Sequence, residues 1–182
     1  MTKNQKSHSV VLGVTGSIAA SKAADLTSKM TAAGLDVHVI MTANAQRFVT
    51  PQTFLTLSRN PVVTGLWDIP AWQPEHIALA ELASLLVIAP ASADILAKMA
   101  RGLADDALST YCLSHTGKVI VAPAMNPRMW IHPATQANIR ILRERNVIFA
   151  GPACGRVACG EEGYGRMLEV PEILACIMEH LK

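Results

Sequence analysis

The sequence predicts an α/β protein: a doubly wound parallel sheet in three layers, with helices covering both faces. Three observations predict it. Short apolar runs alternate with longer amphipathic ones along the chain, the pattern of repeated strand–helix units. The apolar runs are built mostly from Val, Ile, Leu and Ala, and aromatics are only 4% of the residues, as in strands buried on both faces. With 182 residues, 51% hydrophobic and 16% charged, the chain can bury one sizeable core and is too apolar to be disordered. We read residues 1–182 as a single domain.

The elements follow in order. Ser9–Val14 reads as a buried strand. Ile18–Ala33 reads as a helix closed by Gly34, where glycine tolerates the left-handed turn that ends helices. Leu35–Met41 is a second strand. Asn44–Val49 and Pro51–Ser58 are short helices, the latter with proline in its first turn. Val62–Thr64 is a short strand, Trp67–Glu75 an irregular loop and Ile77–Ala83 a helix. Leu85–Ala89 is a strand stopped by Pro90. Ala93–Arg101 and Asp106–Ser114 are helices on either side of Gly102. Lys118–Ala122 is a strand stopped by Pro123. Pro133–Arg145 is a helix, Val147–Ala150 the last strand, and Pro171–Leu181 a terminal helix. Gly151–Arg166 is glycine-rich without periodicity and reads as a loop.

Bulk properties exclude several functions. The formal charge is only +2 and no stretch gathers Lys or Arg into a stripe, so nucleic-acid binding has no electrostatic footprint. No run reaches the ~18 apolar residues of a membrane span. Lys3 and Lys6 precede the apolar stretch Val10–Ala20, but Gly13, Thr15, Gly16 and Ser17 interrupt it. A strand and tight turn explain this better than a secretory signal. The four cysteines form no CxxC pair, and the histidines do not cluster with them at metal spacing; no metal site is expected. Cys112 and Cys176 read as core residues. The location expected is the reducing cytoplasm.

Ligands of doubly wound sheets sit beyond the carboxyl ends of the strands. Three turns there carry small polar residues. The first, Gly13–Ala20, holds Gly16 for a tight turn and Ser17 as a helix cap and hydroxyl. It fits either a phosphate site at a helix N-terminus or a plain serine-capped turn. Its spacing matches neither the dinucleotide nor the P-loop glycine pattern. The second turn offers Thr42 and Asn44, and the third Ser92 and Asp94. Together the three suggest a phosphorylated, hydroxyl-rich cofactor.

Three further segments carry chemistry. His76 opens a helical stretch, where the helix dipole disfavours its cation; it is either a base for work near neutral pH or a partly exposed cap residue. Pro123-Ala-Met-Asn-Pro-Arg-Met-Trp130 holds Asn126 between two prolines. An amide fixed there binds a carboxylate without neutralising it, with Met125, Met129 and Trp130 as apolar walls. The other reading is a proline-bounded loop packed on the core. In Gly155–Met167, Cys159 can present a thiol acid, and Arg156 and Arg166 can engage a phosphate. As an alternative, this is a surface loop with an incidental cysteine.

With these segments in place, the chain resembles the homo-oligomeric flavin-containing cysteine decarboxylases over roughly Val10 to Glu169. Four markers occur in that family's order: Gly16-Ser17-Ile18, His76-Ile77, the specific PxMNxxMW motif at Pro123–Trp130, and Ala158-Cys159-Gly160. Asp106 and the Glu161-Glu162 pair depart somewhat from the family pattern. The resemblance implies a Rossmann-like flavoprotein fold and FMN as cofactor. It implies decarboxylation of 4′-phosphopantothenoylcysteine to 4′-phosphopantetheine in coenzyme A biosynthesis, through a thioaldehyde and an enethiolate. It implies His76 as base, Asn126 as holder of the substrate carboxylate and Cys159 as proton donor. Flavin contacts carry over to Gly16, Ser17 and Ile18, to Thr42 and Asn44, to Ser92, Ala93 and Asp94, and to Ala124. Substrate contacts carry over to Asn126, Arg156, Ala158 and Met167. The family's trimers and dodecamers imply a homo-oligomer, and a separate phosphopantothenate–cysteine ligase is an implied partner. The alternatives are an oxidative peptidyl-cysteine decarboxylase that stops at the enethiol, a flavin prenyltransferase, and a non-catalytic flavin-binding regulatory subunit. Cys159 in its Ala-Cys-Gly setting favours the complete cycle.

Overall fold

A computed structural model describes residues 8–66 and 83–181. His76, the loop expected over 67–75 and all but the last residue of the helix expected over 77–83 lie outside the described residues. Ala83 itself is not helical; it leads into the next strand.

The first half runs β1 (Ser9–Val14), α1 (Ala20–Ala32), β2 (Asp36–Met41), a 3₁₀ turn at Ala45–Arg47, α2 (Pro51–Ser58) and β3 (Val62–Val63). The second runs β4 (Leu85–Ala91), α3 (Ala93–Arg101), α4 (Ala107–Ser114), β5 (Lys118–Pro123), α5 (Pro127–Ile131), α6 (Pro133–Glu144) and β6 (Ile148–Phe149). A hairpin of β7 (Ala153–Arg156) and β8 (Glu162–Arg166) follows, then α7 (Val170–His180).

Six strands form one sheet in the order β3-β2-β1-β4-β5-β6, and every pairing in it is parallel. The chain winds outward from β1 in one direction, then returns to wind from β4 in the other. The switch falls between β1 and β4, where such sheets open a crevice for ligands. Alternation along the strands divides the core in two. Val10, Leu12 and Val14 pack with Leu26, Met30, Phe54, Ile173 and Ile177 of α1, α2 and α7. Val11, Leu86 and Ile88 face Ile95, Leu108, Tyr111, Ile139 and Leu142 of α3, α4 and α6. Burial on both faces explains why these strands are apolar throughout.

The structure corrects four local expectations. α1 begins at Ala20, not Ile18, because Ser17–Ala20 is a tight turn closed by Ser17 N–H to Thr15 O and Ala20 N–H to Ser17 O, each 2.9 Å. Ser17 therefore does not cap the helix. Its hydroxyl accepts from Ala19 N–H at 3.3 Å, and Ala19 takes the N-cap position.

Pro90 does not stop its strand, whereas β5 does end at Pro123, which is its last residue. β4 runs on to Ala91, which pairs with Pro123, and the register shifts between Ile88 and Ala91. Proline has no N–H to give the ladder, and that shift is where the ladder yields.

The segment Gly151–Arg166 is not a loop but carries the antiparallel β7–β8 hairpin, so β6 is not the last strand. The Pro123–Trp130 segment is not all loop either, since α5 begins at Pro127. The hairpin packs on it: Met125 N–H donates to Gly165 O at 2.9 Å. A Cβ on Gly165, at φ +136°, would lie 2.4 Å from the Met125 carbonyl oxygen. Glycine there permits the approach.

Candidate active site

The carboxyl ends of β1, β2 and β4 converge as the alternation of strands and helices requires. Thr15, 1% exposed, ties two of them together. Its hydroxyl donates to Pro90 O at 2.6 Å and accepts from Ser92 N–H at 3.0 Å. The second turn meets the first by contact: a Cβ on Gly16 would sit 2.5 Å from Asn44 Cβ. Thr42 steadies its own turn by accepting from Ala45 N–H at 3.3 Å, and Ser92 caps α3 by accepting from Ile95 N–H at 3.3 Å. Thr15 thus links the ends of β1 and β4, while Thr42 and Ser92 brace their own turns. Thr15 was not singled out in the sequence. Its signal was a hydroxyl just before Gly16 in the turn after an apolar strand.

Asn126 leaves the end of β5 and caps α5. Its Oδ1 accepts from Arg128 N–H at 2.7 Å, which fixes the orientation of the amide. Its Nδ2 then points at the hairpin tip, donating to Cys159 Sγ at 3.1 Å and to Glu161 Oε2 at 3.2 Å. The tip is closed by Gly160 N–H to Val157 O and Val157 N–H to Glu161 O, each 2.9 Å. Cys159 is exposed there. Glu161, noted in the sequence only as a departure from the family pattern and given no role there, also pairs with Arg128 at 2.8 Å.

Between these parts lies a cavity of about 420 Å³. Ser17, Ile18, Ala124, Asn126, Arg156, Ala158, Cys159 and Met167 all line it. Residues more than 100 positions apart in the chain, Ser17 and Asn126 among them, thus meet at one cavity. Gly16, Thr42, Asn44, Ser92, Ala93 and Asp94 do not line it; the first four lie in the neighbouring strand-end turns, and Ala93 and Asp94 open α3. Asp94 turns its carboxylate to Lys98 at 3.5 Å. Of the expected apolar walls only Met125 lines the cavity. Trp130 packs on the core and Met129 is exposed.

Besides Arg156, two cations line the cavity, Lys22 and Arg166. Glu169 binds both, with Lys22 Nζ 2.9 Å from each carboxylate oxygen. The Lys22 hydrogen bonds, then that from Arg166, hold the Glu169 carboxyl below its usual range. Elsewhere, burial pushes the Cys112 thiol up to about 12, leaving it inert beside the exposed Cys159. Among the described residues no group of His, Cys, Asp and Glu is arranged to hold a metal ion. No described helix is long and apolar enough to cross a membrane.

Residues 1–182 match the family model described as flavoprotein. The chain belongs to the flavoprotein family. The coenzyme A biosynthesis bifunctional protein CoaBC of Vibrio vulnificus is 45% identical over 168 residues, 91% of this chain and 42% of the relative. The chain thus spans about two fifths of the length of that curated relative. A solved PPC decarboxylase mutant, complexed with pantothenoylaminoethenethiol, matches with TM-score 0.85 at 30% identity, over 96% of this chain and 98% of its own. The FMN-dependent cysteine decarboxylase SpaF matches with TM-score 0.82 at 29% identity, over 97% and 95%.

The flavoprotein's own residues fit such a cofactor. Gly16 closes its turn against Asn44, whose Cβ would lie 2.5 Å from an added Cβ, and this close approach brings its neighbours Ser17 and Ile18 to the cavity wall. Ile18, Ala124, Met125 and Met167 give the cavity apolar walls, as a flat aromatic ring requires.

Proposed function

We propose that residues 1–182 form one FMN-dependent decarboxylase domain. It converts 4′-phosphopantothenoylcysteine to 4′-phosphopantetheine in coenzyme A biosynthesis. The observation that carries this reading is the 3.1 Å contact between Asn126 Nδ2 and Cys159 Sγ at a cavity also lined by the first turn. A carboxylate-binding amide and a proton-donating thiol side by side match a reaction that removes a carboxylate and then protonates carbon. The solved PPC decarboxylase and the CoaBC relative support the substrate class by their likeness.

FMN, when bound, supplies a two-electron acceptor and donor that keeps the overall conversion redox-neutral. Gly16, Ser17 and Ile18 hold it, with Thr42, Asn44, Ser92, Ala93, Asp94 and Ala124 from the neighbouring strand ends. Its phosphate would meet the first turn, where Ser17 and Ile18 line the cavity. His76 removes the substrate proton, near neutral pH. Asn126 orients the substrate carboxylate beside the apolar walls, and Cys159 returns a proton to carbon after carbon dioxide leaves. Arg156, Ala158 and Met167 complete the substrate contacts. The protein works as a homo-oligomer, a trimer or a dodecamer of trimers, in the cytoplasm. Its ligase partner is either a separate chain or, as in CoaBC, a fused domain.

The test is direct. The purified yellow protein is incubated with 4′-phosphopantothenoylcysteine, and carbon dioxide and 4′-phosphopantetheine are measured. Equal amounts of both support the reading. Carbon dioxide with only the enethiol would move the protein to the oxidative class, and neither product ends the proposal.

A further inference from the structure

Asn126 offers an entering carboxylate no idle hydrogen. Its Oδ1 is committed to Arg128 N–H at 2.7 Å, so the amide cannot turn over without losing that bond. Its two N–H hydrogens are spent on Cys159 Sγ and Glu161 Oε2. A substrate carboxylate must therefore replace one of these acceptors. Sulfur is a weak acceptor, and its contact keeps the proton donor near the amide. Glu161 is a carboxylate already seated where another is to bind.

We propose that Glu161 is a placeholder for the substrate's carboxylate. The inference rests on the proposed decarboxylase reading and adds a residue to its site. In the free protein Glu161 satisfies Asn126 Nδ2 and fixes the hairpin tip over α5. When substrate arrives, one carboxylate replaces another on the same N–H, so the amide never loses a partner. Glu161 then stays on Arg128, bound through its other oxygen Oε1 at 2.8 Å. That pair is a loose tether: the Arg128 side chain is 83% exposed, and exposed pairs hold weakly. When carbon dioxide departs, Glu161 takes back the N–H and reseats the tip. Glu161 is thus a positioning and specificity residue: it competes with a carboxylate and with nothing else on the substrate.

Two unreactive probes test this by calorimetry on the flavin-loaded protein. One is 4′-phosphopantothenoylserine, which keeps the carboxylate. The other is its decarboxylated counterpart, 4′-phosphopantothenoylethanolamine. Glu161→Ala should bind the serine probe about two- to twelvefold tighter, as expected for removal of one competing hydrogen bond of about 0.5–1.5 kcal/mol. It should bind the ethanolamine probe as the unmodified protein does. Glu161→Gln keeps the side chain's length and its acceptor but drops the charge, and should move in the same direction by less. Weaker binding of the serine probe by both variants, or an equal change for both probes, overturns the placeholder role. If the unmodified protein binds neither probe, the decarboxylase reading itself has failed.

Discussion

At the scale of single residues, Asn126 decides what the site can do, because both ends of its amide are directed by fixed partners. Asn126→Asp puts a negative charge where the donor now points. Substrate affinity should fall about 10²-fold, the cost of losing a charge-assisted hydrogen bond and gaining repulsion; an unchanged KM would remove Asn126 from carboxylate binding. Cys159→Ser should still release carbon dioxide but accumulate enethiol, with complete product reduced about 10²-fold. Mass spectrometry of the products decides it, and normal 4′-phosphopantetheine at the normal rate excludes Cys159 as the acid. His76→Asn should keep its flavin, seen in the visible spectrum, and lose about 10²-fold or more in turnover. Full activity would refute the base. Much of this was legible because the sequence placed Asn126 and Cys159 in segments whose proline and glycine content demanded explanation. Glu161 was not legible. A glutamate in a glycine-rich run has no signature until the backbone shows it facing Asn126 and Arg128.

At the scale of elements, the contact between the hairpin and the end of β5 depends on a missing side chain. Gly165→Ala would force a Cβ against the Met125 carbonyl, at a φ of +136° that L residues avoid. A cost of about 1–3 kcal/mol is expected. Activity should fall more than melting temperature, because the hairpin leaves the six-stranded sheet intact while Cys159 moves. Equal loss of both would show that the hairpin is part of the folding core. The strand ends give a second case. Thr15→Val keeps the shape but withdraws a donor from Pro90 O and an acceptor from Ser92 N–H. It should cost about 1–3 kcal/mol and weaken flavin retention on dialysis; full stability with full retention counts against the tie. The sequence misled at this scale where local rules met tertiary context. Pro90 looked like a strand terminator, yet a register shift lets β4 run through it to Ala91, while β5 ends at Pro123. The hairpin escaped notice because Gly155, Gly163 and Gly165 erase the alternation that marks a strand.

For the molecule as a whole, the apolar alternation settled the architecture, since only strands covered on both faces read as unbroken Val, Ile and Leu. Strand order and the cavity at the switch point came from three dimensions alone. His115 is a buried titratable group of this scaffold, beside the β5 start. Burial holds its pKa below the ordinary 6.5, with the Lys118 carbonyl partly opposing. The neutral ring donates from Nε2 to that carbonyl and accepts at Nδ1 from the Tyr111 hydroxyl, each at 3.2 Å. Below about pH 6.5 the unfolded chain binds this proton more readily than the folded one, so stability falls with pH. It is lost as pH falls through the folded value. Melting temperature should drop between about pH 7.5 and about pH 5.5, and less steeply in His115→Gln; parallel curves would clear His115 of the effect. The β7–β8 hairpin has one more consequence. It hangs outside the six-stranded sheet and touches α5, so Cys159, the proposed proton donor, rides on an appendage while the strand-end turns belong to the frame. Under the proposed chemistry, a lineage could truncate the cycle at its halfway product by rewriting a few residues of that tip. The architecture, and whatever else depends on it, would survive such an edit.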